Sequence, residues 1–375
     1  MARTLTIENY LQLCVDQEAS DLHLSGGAVP YLRLHGRLQP LDEPALPAEE
    51  VHRLAVSLMQ PKQRELFEKE QTLDLAYTLD ENNRFRINVF RERGRTALAI
   101  RRLEQKFRTL EEWNLPPQLA ELAELRDGLV LVTGPTGSGK TTTLATLLHQ
   151  INLTRACHII TVEDPVEYIH RNERSLVQQR ELYTDVPSFA DAVRAAMRED
   201  PNVILVGEMR DVETMRAAIT AAETGHLVYS TLHTGDAVGA IDRMLGVFPA
   251  EEQDSVRNQL SMVLRAVLAQ RLLPNTDGDG RVPVVEILRV TTAVAHLIRT
   301  GKPQQIYSAI EVGTNLGMQT LEQALADLVR RRLVHLEDAR RLARDPRLFE
   351  ERLRLQPAPP SSGGNIRDGL AGRTR

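Results

Sequence analysis

The stretch LVLVTGPTGSGKTTTLATLLHQ, residues 129–150, decides the fold. Four apolar residues run without alternation, a glycine-rich turn follows, and the chain then takes up helical spacing. A continuous apolar run marks a strand buried on both faces, as in a parallel sheet covered by helices. The turn completes GxxxxGK[ST] with Gly134, Gly139, Lys140 and Thr141, strand before and helix after. Glycine freedom lets backbone N–H groups wrap phosphates, and the helix start adds partial positive charge. The predicted nucleotide-binding set is Gly134, Pro135, Thr136, Gly137, Ser138, Gly139, Lys140, Thr141 and Thr142. Lys140 is expected at the β- and γ-phosphates, and the Thr141 hydroxyl on Mg²⁺. A chance glycine turn would not come with both flanks in place.

Working outward, other short apolar runs should end beside the same phosphates, because ligands bind at the carboxyl ends of parallel strands. Two of them end in carboxylates. HIITVEDPVEY (158–168) carries Glu163 and Asp164, and NVILVGEMRD (202–211) carries Glu208. Gly207 stands where many such strands place an Mg²⁺-binding Asp, so Glu208 is assigned to Mg²⁺ through water. Glu163 is then the better candidate to polarise an attacking water, as general base or orienter. Either carboxylate alone could be a solvated strand-end charge.

GHLVYSTLHTGDA (225–237) holds two of the chain's ten histidines, His226 and His233. The run alternates as a strand does, and at ~3.3 Å per residue seven steps separate the imidazoles by about 23 Å. That spacing removes a metal pair and any shared contact with one γ-phosphate. His233, with Thr231 and Thr234 at the carboxyl end, is predicted to sense the γ-phosphate. His226 is expected in a subunit contact or in packing.

Arginines crowd NNRFRINVFRERGRTALAIRR (82–102), a presumed hairpin. Period two puts Arg84 and Arg86 opposite Phe85, Ile87 and Val89. A solvated basic strand explains this, and so does a guanidinium reaching a γ-phosphate across a domain or subunit boundary. ADAVRAAMREDP (190–201) adds Arg194 and Arg198 as lesser candidates, expected on one helix face at i and i+4.

The chain of 375 residues suits two globular domains. Residues 1–105 read as a small α+β unit, and 106–126 as a linker followed by a helix. Residues 127–290 read as an α/β nucleotide-binding core, 291–350 as helical, and 351–375, rich in Pro, Gly and Ser, as a disordered tail. A net charge of −5 argues against coating nucleic acid. Two cysteines, Cys14 and Cys157, form no pair of metal-ligand spacing, which fits a reducing compartment. No apolar run reaches the ~20 residues of a membrane span, and the first residues lack a signal-peptide pattern. The expectation is a cytoplasmic protein that touches membrane only through partners.

The stretches ASDLHLSGG, GPTGSGKTTT, ITVEDPVEY, REDPNVILVGEMRD, TAAETGHLVYSTLHT, AIDRMLGVFPAEE, AQRLLP, HLIRTGKPQQIYSAIE and GMQTLEQAL run in order from about residue 19 to 345. On them the chain resembles the secretion/type IV pilus superfamily of hexameric ATPases, most closely its pilus-retraction branch. The resemblance implies an N-terminal PAS-like α+β domain, a RecA-like P-loop ATPase domain with a helical C-terminal extension, and a homohexamer. It implies ATP with Mg²⁺, and hydrolysis that swings one domain against the next. The family's acidic box falls on Glu163, its Walker B glutamate on Glu208 and its histidine box on His226 and His233. Its N-domain arginines fall on Arg86, Arg93 and Arg101. AVAHLIRTGK (293–302) matches a motif associated with retraction, with His296 divergent, and His35 in LRLHGRL replaces an acidic residue. An inner-membrane pilus platform protein is the implied partner, with a paralogous retraction ATPase as a further candidate, which places the protein at the inner membrane's cytoplasmic face. Assembly and secretion ATPases usually carry two CxxC pairs after Walker B, and no cysteine follows Cys157 here. An accessory retraction ATPase remains the nearer alternative. A RecA-like nucleic-acid motor fits the charge poorly, and a dead ATPase ring does not fit the intact site residues.

Overall fold

The computed structural model describes residues 5–34, 36–103, 105–278 and 280–355. His35 and residues 356–375 of the expected tail lie outside them. The chain builds two sheets in succession, six strands and then seven.

The first unit runs α1 (Ile7–Asp16), β1 (Asp21–Ser25), β2 (Tyr31–Leu34), β3 (Arg37–Pro40), α2 (Ala48–Ser57), α3 (Pro61–Glu70), β4 (Thr72–Thr78), β5 (Arg84–Glu92) and β6 (Arg95–Leu103). Its sheet is antiparallel throughout, in the order β3-β2-β1-β6-β5-β4. Along β5, Phe85, Ile87 and Val89 are fully buried while Arg84 and Arg86 face away, as the period of two requires. The inner face packs with Leu11, Leu54 and Phe67 from the helices. A one-sided core of this kind is what alternating strands specify.

A 3₁₀ helix (Pro117–Glu124) leads into the second unit; the expected linker helix is therefore not α-helical. Pro116 and Pro117 remove donors at its start, and Leu119 and Leu122 anchor it in the core. The buried Tyr229 hydroxyl also pins it, donating to Leu122 O at 2.7 Å.

The second unit runs β7 (Gly128–Thr133), α4 (Lys140–Thr154), β8 (His158–Glu163), β9 (Leu176–Glu181), α5 (Phe189–Ala196), β10 (Val203–Val206), α6 (Val212–Glu223), β11 (Leu227–Leu232), α7 (Ala237–Gly246), α8 (Gln253–Val263), β12 (Leu264–Pro274) and β13 (Arg281–Arg289). The strand order is β13-β12-β7-β11-β10-β8-β9. Every residue of β7, β10 and β11 is buried, because helices cover both faces. The expectation of a parallel sheet needs one correction: β12 lies parallel to β7, but β13 returns antiparallel to β12 at the edge. Two turn-linked neighbours can pair this way without a crossover.

A second correction concerns Arg194 and Arg198. α5 ends at Ala196, so Arg198 is not on its face. The chain tightens into i→i+3 bonds, Arg198 N to Ala195 O and Glu199 N to Ala196 O, before Asp200 turns left-handed ahead of Pro201. A residue preceding proline is pushed out of the α region, which stops the helix there.

The C-terminal part adds α9 (Thr292–Arg299), α10 (Ile306–Val312), α11 (Leu321–Arg330), α12 (Leu336–Leu342) and α13 (Pro346–Arg354). α13 crosses residue 350, so the segment from 351 is not all tail. Asp345 caps it through the amides of Arg347 and Leu348, and Phe349 buries against α11. Among the described residues no helix is long and apolar enough to cross a membrane.

Candidate active site

The glycine loop lies between β7 and α4. α4 begins without a side-chain cap, whereas Ser188, Asp211 and Asp236 cap α5, α6 and α7. Its leading N–H groups are offered to the loop, which suits an anion. Gly134 takes φ +147, and a Cβ there would stand 2.2 Å from the Gln270 carbonyl oxygen. The loop is thus pressed against β12, and only a residue without a side chain fits. The buried Gln270 side chain then fastens it: its amide donates to Ser138 O at 2.7 Å, and its oxygen accepts from Thr143 Oγ1 at 2.7 Å. Lys140 donates to the carbonyls of Gly134 and Pro135 at 2.8 and 3.1 Å. Burial lowers the lysine's pKa, and the nearby Glu208 carboxylate opposes that.

Glu208 lies two residues beyond β10 and His233 one beyond β11, on neighbouring strands. Their side chains meet, His233 Nε2 to Glu208 Oε2, at 3.6 Å. Arg210 Nε holds the other Glu208 oxygen at 2.7 Å. Thr234 ties the His233 end to the strand before the loop: Thr133 Oγ1 donates to Thr234 O at 2.9 Å and accepts from Thr234 N at 2.8 Å. His226 sits at the opposite end of β11, its ring against Ala221 O at 2.9 Å and Thr224 Oγ1 at 3.1 Å. The two histidines occupy separate places, and only His233 faces the phosphate loop's end of the sheet.

Glu163 is the last residue of β8 and is only 8% exposed. Burial pushes its carboxyl up to about 7, against hydrogen bonds from Thr161 and Gln179. Gly207 explains its own identity here. Its N–H donates to Val162 O at 2.8 Å, and a Cβ would come within 3.1 Å of that oxygen and 3.3 Å of Glu163 Cα. An aspartate at Gly207 would crowd the neighbouring strand end, so the acidic group moves one residue on, to Glu208.

The arginines divide. Arg86 reaches the second unit, where Nη1 meets Glu167 at 3.1 Å, and also pairs with Asp74 at 3.5 Å. Arg101 stays in its own unit on Asp21 at 3.0 Å. Arg93 sits at the β5–β6 hairpin turn with φ +49, exposed. Arg84 is the deepest, donating to Val166 O at 2.9 Å and Glu181 at 3.1 Å. Arg194 pairs with Asp191 at 2.8 Å and Glu213 at 3.5 Å, and Arg198 bonds Arg194 O at 3.1 Å.

These residues belong to a larger pattern. Residues 3–341 match the family described as Type II/IV secretion system protein. The chain belongs to that family. The match spans nine-tenths of the sequence, and the family's fold, an N-terminal domain followed by a RecA-like ATPase domain, is the one seen here. The chain is 45% identical to the type IV pilus retraction ATPase PilT of Pseudomonas aeruginosa, over 92% of this chain and 100% of that one. It is 38% identical to the type IV pilus ATPase PilU of the same organism, over 89% and 88%. The crystal structure of the pilus retraction motor PilT with bound ADP superposes with a TM-score of 0.84 at 44% identity, over 92% and 99% of the two chains.

Three site residues carried no sequence signal of their own: Gln270, Thr161 and Gln179. Each acts through a partner distant along the chain or two residues away on a strand, which no motif records. Gln270 lies inside AQRLLP, a stretch singled out above without a role for it.

The linker docks on the same domain through an aromatic cluster. Phe107 stacks on His149 with ring centroids 4.2 Å apart and tilts against His170 at 4.6 Å. The Nδ1 atoms of both histidines are buried without a hydrogen-bond partner among the described residues. Burial and the neighbouring His149 push His170 down to about 4. Its unfolded value, near 6.5, is higher, so the stability it contributes is complete above that value and is lost as pH falls towards 4. Unfolding free energy should therefore drop by on the order of 3 kcal/mol between those limits from this group. His170→Phe is expected to flatten that slope in denaturant titrations, and an unchanged slope would refute the assignment.

Proposed function

We propose that this chain is an ATP-hydrolysing motor that powers type IV pilus retraction. The observation that carries the proposal is the placing of the glycine loop, Glu163, Glu208 and His233 at the carboxyl ends of four neighbouring strands of one sheet, in a chain 45% identical to PilT over 92% of its length. The uncapped start of α4, directly after the glycine loop, fits a polyphosphate.

Gly134 to Thr142 bind the phosphates, with Lys140 exchanging its loop carbonyls for phosphate oxygens. The Thr141 hydroxyl and Glu208 would hold Mg²⁺, which when bound would supply positive charge beside the phosphates. Glu163 takes the proton of the attacking water or orients it. His233 reports the γ-phosphate to Glu208, its neighbour at 3.6 Å. Arg86, Arg93 and Arg101 are the candidates for charge stabilisation, and Arg93 on its exposed hairpin is best placed to reach another subunit. The working assembly is a homohexamer that acts with an inner-membrane platform protein at the cytoplasmic side. An accessory role beside a paralogous ATPase is the second reading; the lower identity to PilU, 38%, favours the first.

The test is Mg²⁺-dependent ATPase activity together with particle mass. Lys140→Ala should reduce hydrolysis by about 10²-fold or more, and His233→Ala should reduce it with the ring intact. A monomer without ATPase activity refutes the proposal. Strong stimulation by single-stranded DNA would redirect it to a nucleic-acid motor.

A further inference from the structure

Both hydrogen bonds to Glu163 end on the same oxygen. Thr161 Oγ1 donates to Oε1 at 2.6 Å, and Gln179 Nε2 donates to Oε1 at 3.1 Å. Among the described residues no donor reaches Oε2. Thr161 is two residues back on β8, fully buried, and side chains two apart share a face. Gln179 comes from β9, the parallel neighbour, where it pairs in register with Thr161.

Gln179 is itself held on every polar atom. Its amide also donates to Tyr168 O at 2.8 Å, and its oxygen accepts from His170 N at 2.8 Å. The Tyr168 hydroxyl meets Thr142 Oγ1, on the helix of the phosphate loop, at 3.2 Å. The Glu163 carboxylate is thereby oriented relative to the phosphate loop by a frame of neutral groups.

We infer that Thr161 and Gln179 are positioning residues that clamp Oε1 of Glu163 and so present Oε2 to the attacking water. The inference rests on Glu163 being the group that activates water. Neutral donors suit the task. They hold the carboxylate's rotamer and favour its charged form without a permanent ion pair, which would make it a weaker base. The charged groups that act on it are Arg84, which favours the ionised form, and Glu167, which opposes it. Without either donor the buried carboxyl keeps its proton to higher pH.

The experiment is steady-state hydrolysis of Mg-ATP by the full chain across the pH range, with affinity for a non-hydrolysable ATP analogue and particle mass measured alongside. Thr161→Val and Gln179→Met remove the donors at nearly constant volume, and Thr161→Ser keeps one. Each of the first two should lower kcat about tenfold near neutral pH and move its acid limb up by about one pH unit, the scale of one hydrogen bond to a charged group. KM and analogue affinity should stay within about twofold. Thr161→Ser should restore both kcat and the limb. An acid limb that stays in place in Thr161→Val and Gln179→Met, or a serine no better than valine, overturns the inference even if kcat falls. Glu163→Gln separates the two readings: if it turns over like wild type, the role of Glu163 itself fails; if it is inactive while the donor variants are normal, only the clamp fails.

Discussion

Glu163→Gln is expected to cut turnover by about 10²- to 10⁴-fold while ATP still binds, and to make the protein more stable at alkaline pH. Both effects come from one physical fact. The carboxyl is buried and lifted to about 7, so its ionised form is useful to a water and costly to the fold. The glutamine keeps the shape and an oxygen that can accept from Thr161 and Gln179, but removes the charge and the base. The sign for stability follows from linkage. The folded value lies above the unfolded carboxyl value near 4.5, so the stability this group lends is complete below that value and is lost as pH rises through about 7. Near pH 8 the glutamine variant should therefore exceed wild type by on the order of 3 kcal/mol, the gap closing below about pH 5. Parallel denaturant titrations at the two pH values read this directly. Wild-type kcat should rise through pH ~7 as the carboxyl ionises. A variant both inactive and less stable at pH 8 would show that Glu163 is structural.

Gly134→Ala should be the most damaging single-methyl change in the phosphate loop. The new Cβ would lie 2.2 Å from the Gln270 carbonyl oxygen and 2.7 Å from Ser138 Oγ, at a backbone angle that L residues avoid. The hydroxyl can turn aside, but the carbonyl cannot, since it belongs to β12, which is paired on both sides by β7 and β13, and the Gln270 side chain is bonded to Ser138 O and Thr143 Oγ1. The loop must lift off β12, with an expected loss of about 2–4 kcal/mol of stability and of nucleotide binding. Gly137→Ala is the control. Nothing lies within 4 Å of its Cβ, so only the left-handed backbone, φ +77, resists substitution, at about 1 kcal/mol. Calorimetric melting and binding of an ATP analogue distinguish the two, and equal effects would rule out the wedge against β12.

Sequence by itself determined the phosphate loop, its strand and helix, the acidic ends of two further strands and the alternating hairpin of the first unit. These are local properties: glycine spacing, continuous or alternating apolar runs, and charges at strand ends. It also separated His226 from His233, because strand rise fixes their distance without knowledge of the fold. The tertiary structure decided what depends on pairing. β9 and β12 carry no strong period, and LVQQRE and LRAVLAQRLLP become strands because an existing edge supplies their partners. The end of α5 turned on one left-handed residue before a proline, which overrode a regular helical pattern. The arginines could not be sorted by sequence, since their partners Glu167, Glu181 and Asp21 lie 80 or more residues away. The opening stretch named Gly134 and Lys140 as a phosphate cradle, and only the fold showed why Gly134 tolerates no substitute. Its crowding comes from Gln270, 136 positions later, brought beside the loop when β12 added itself to β7.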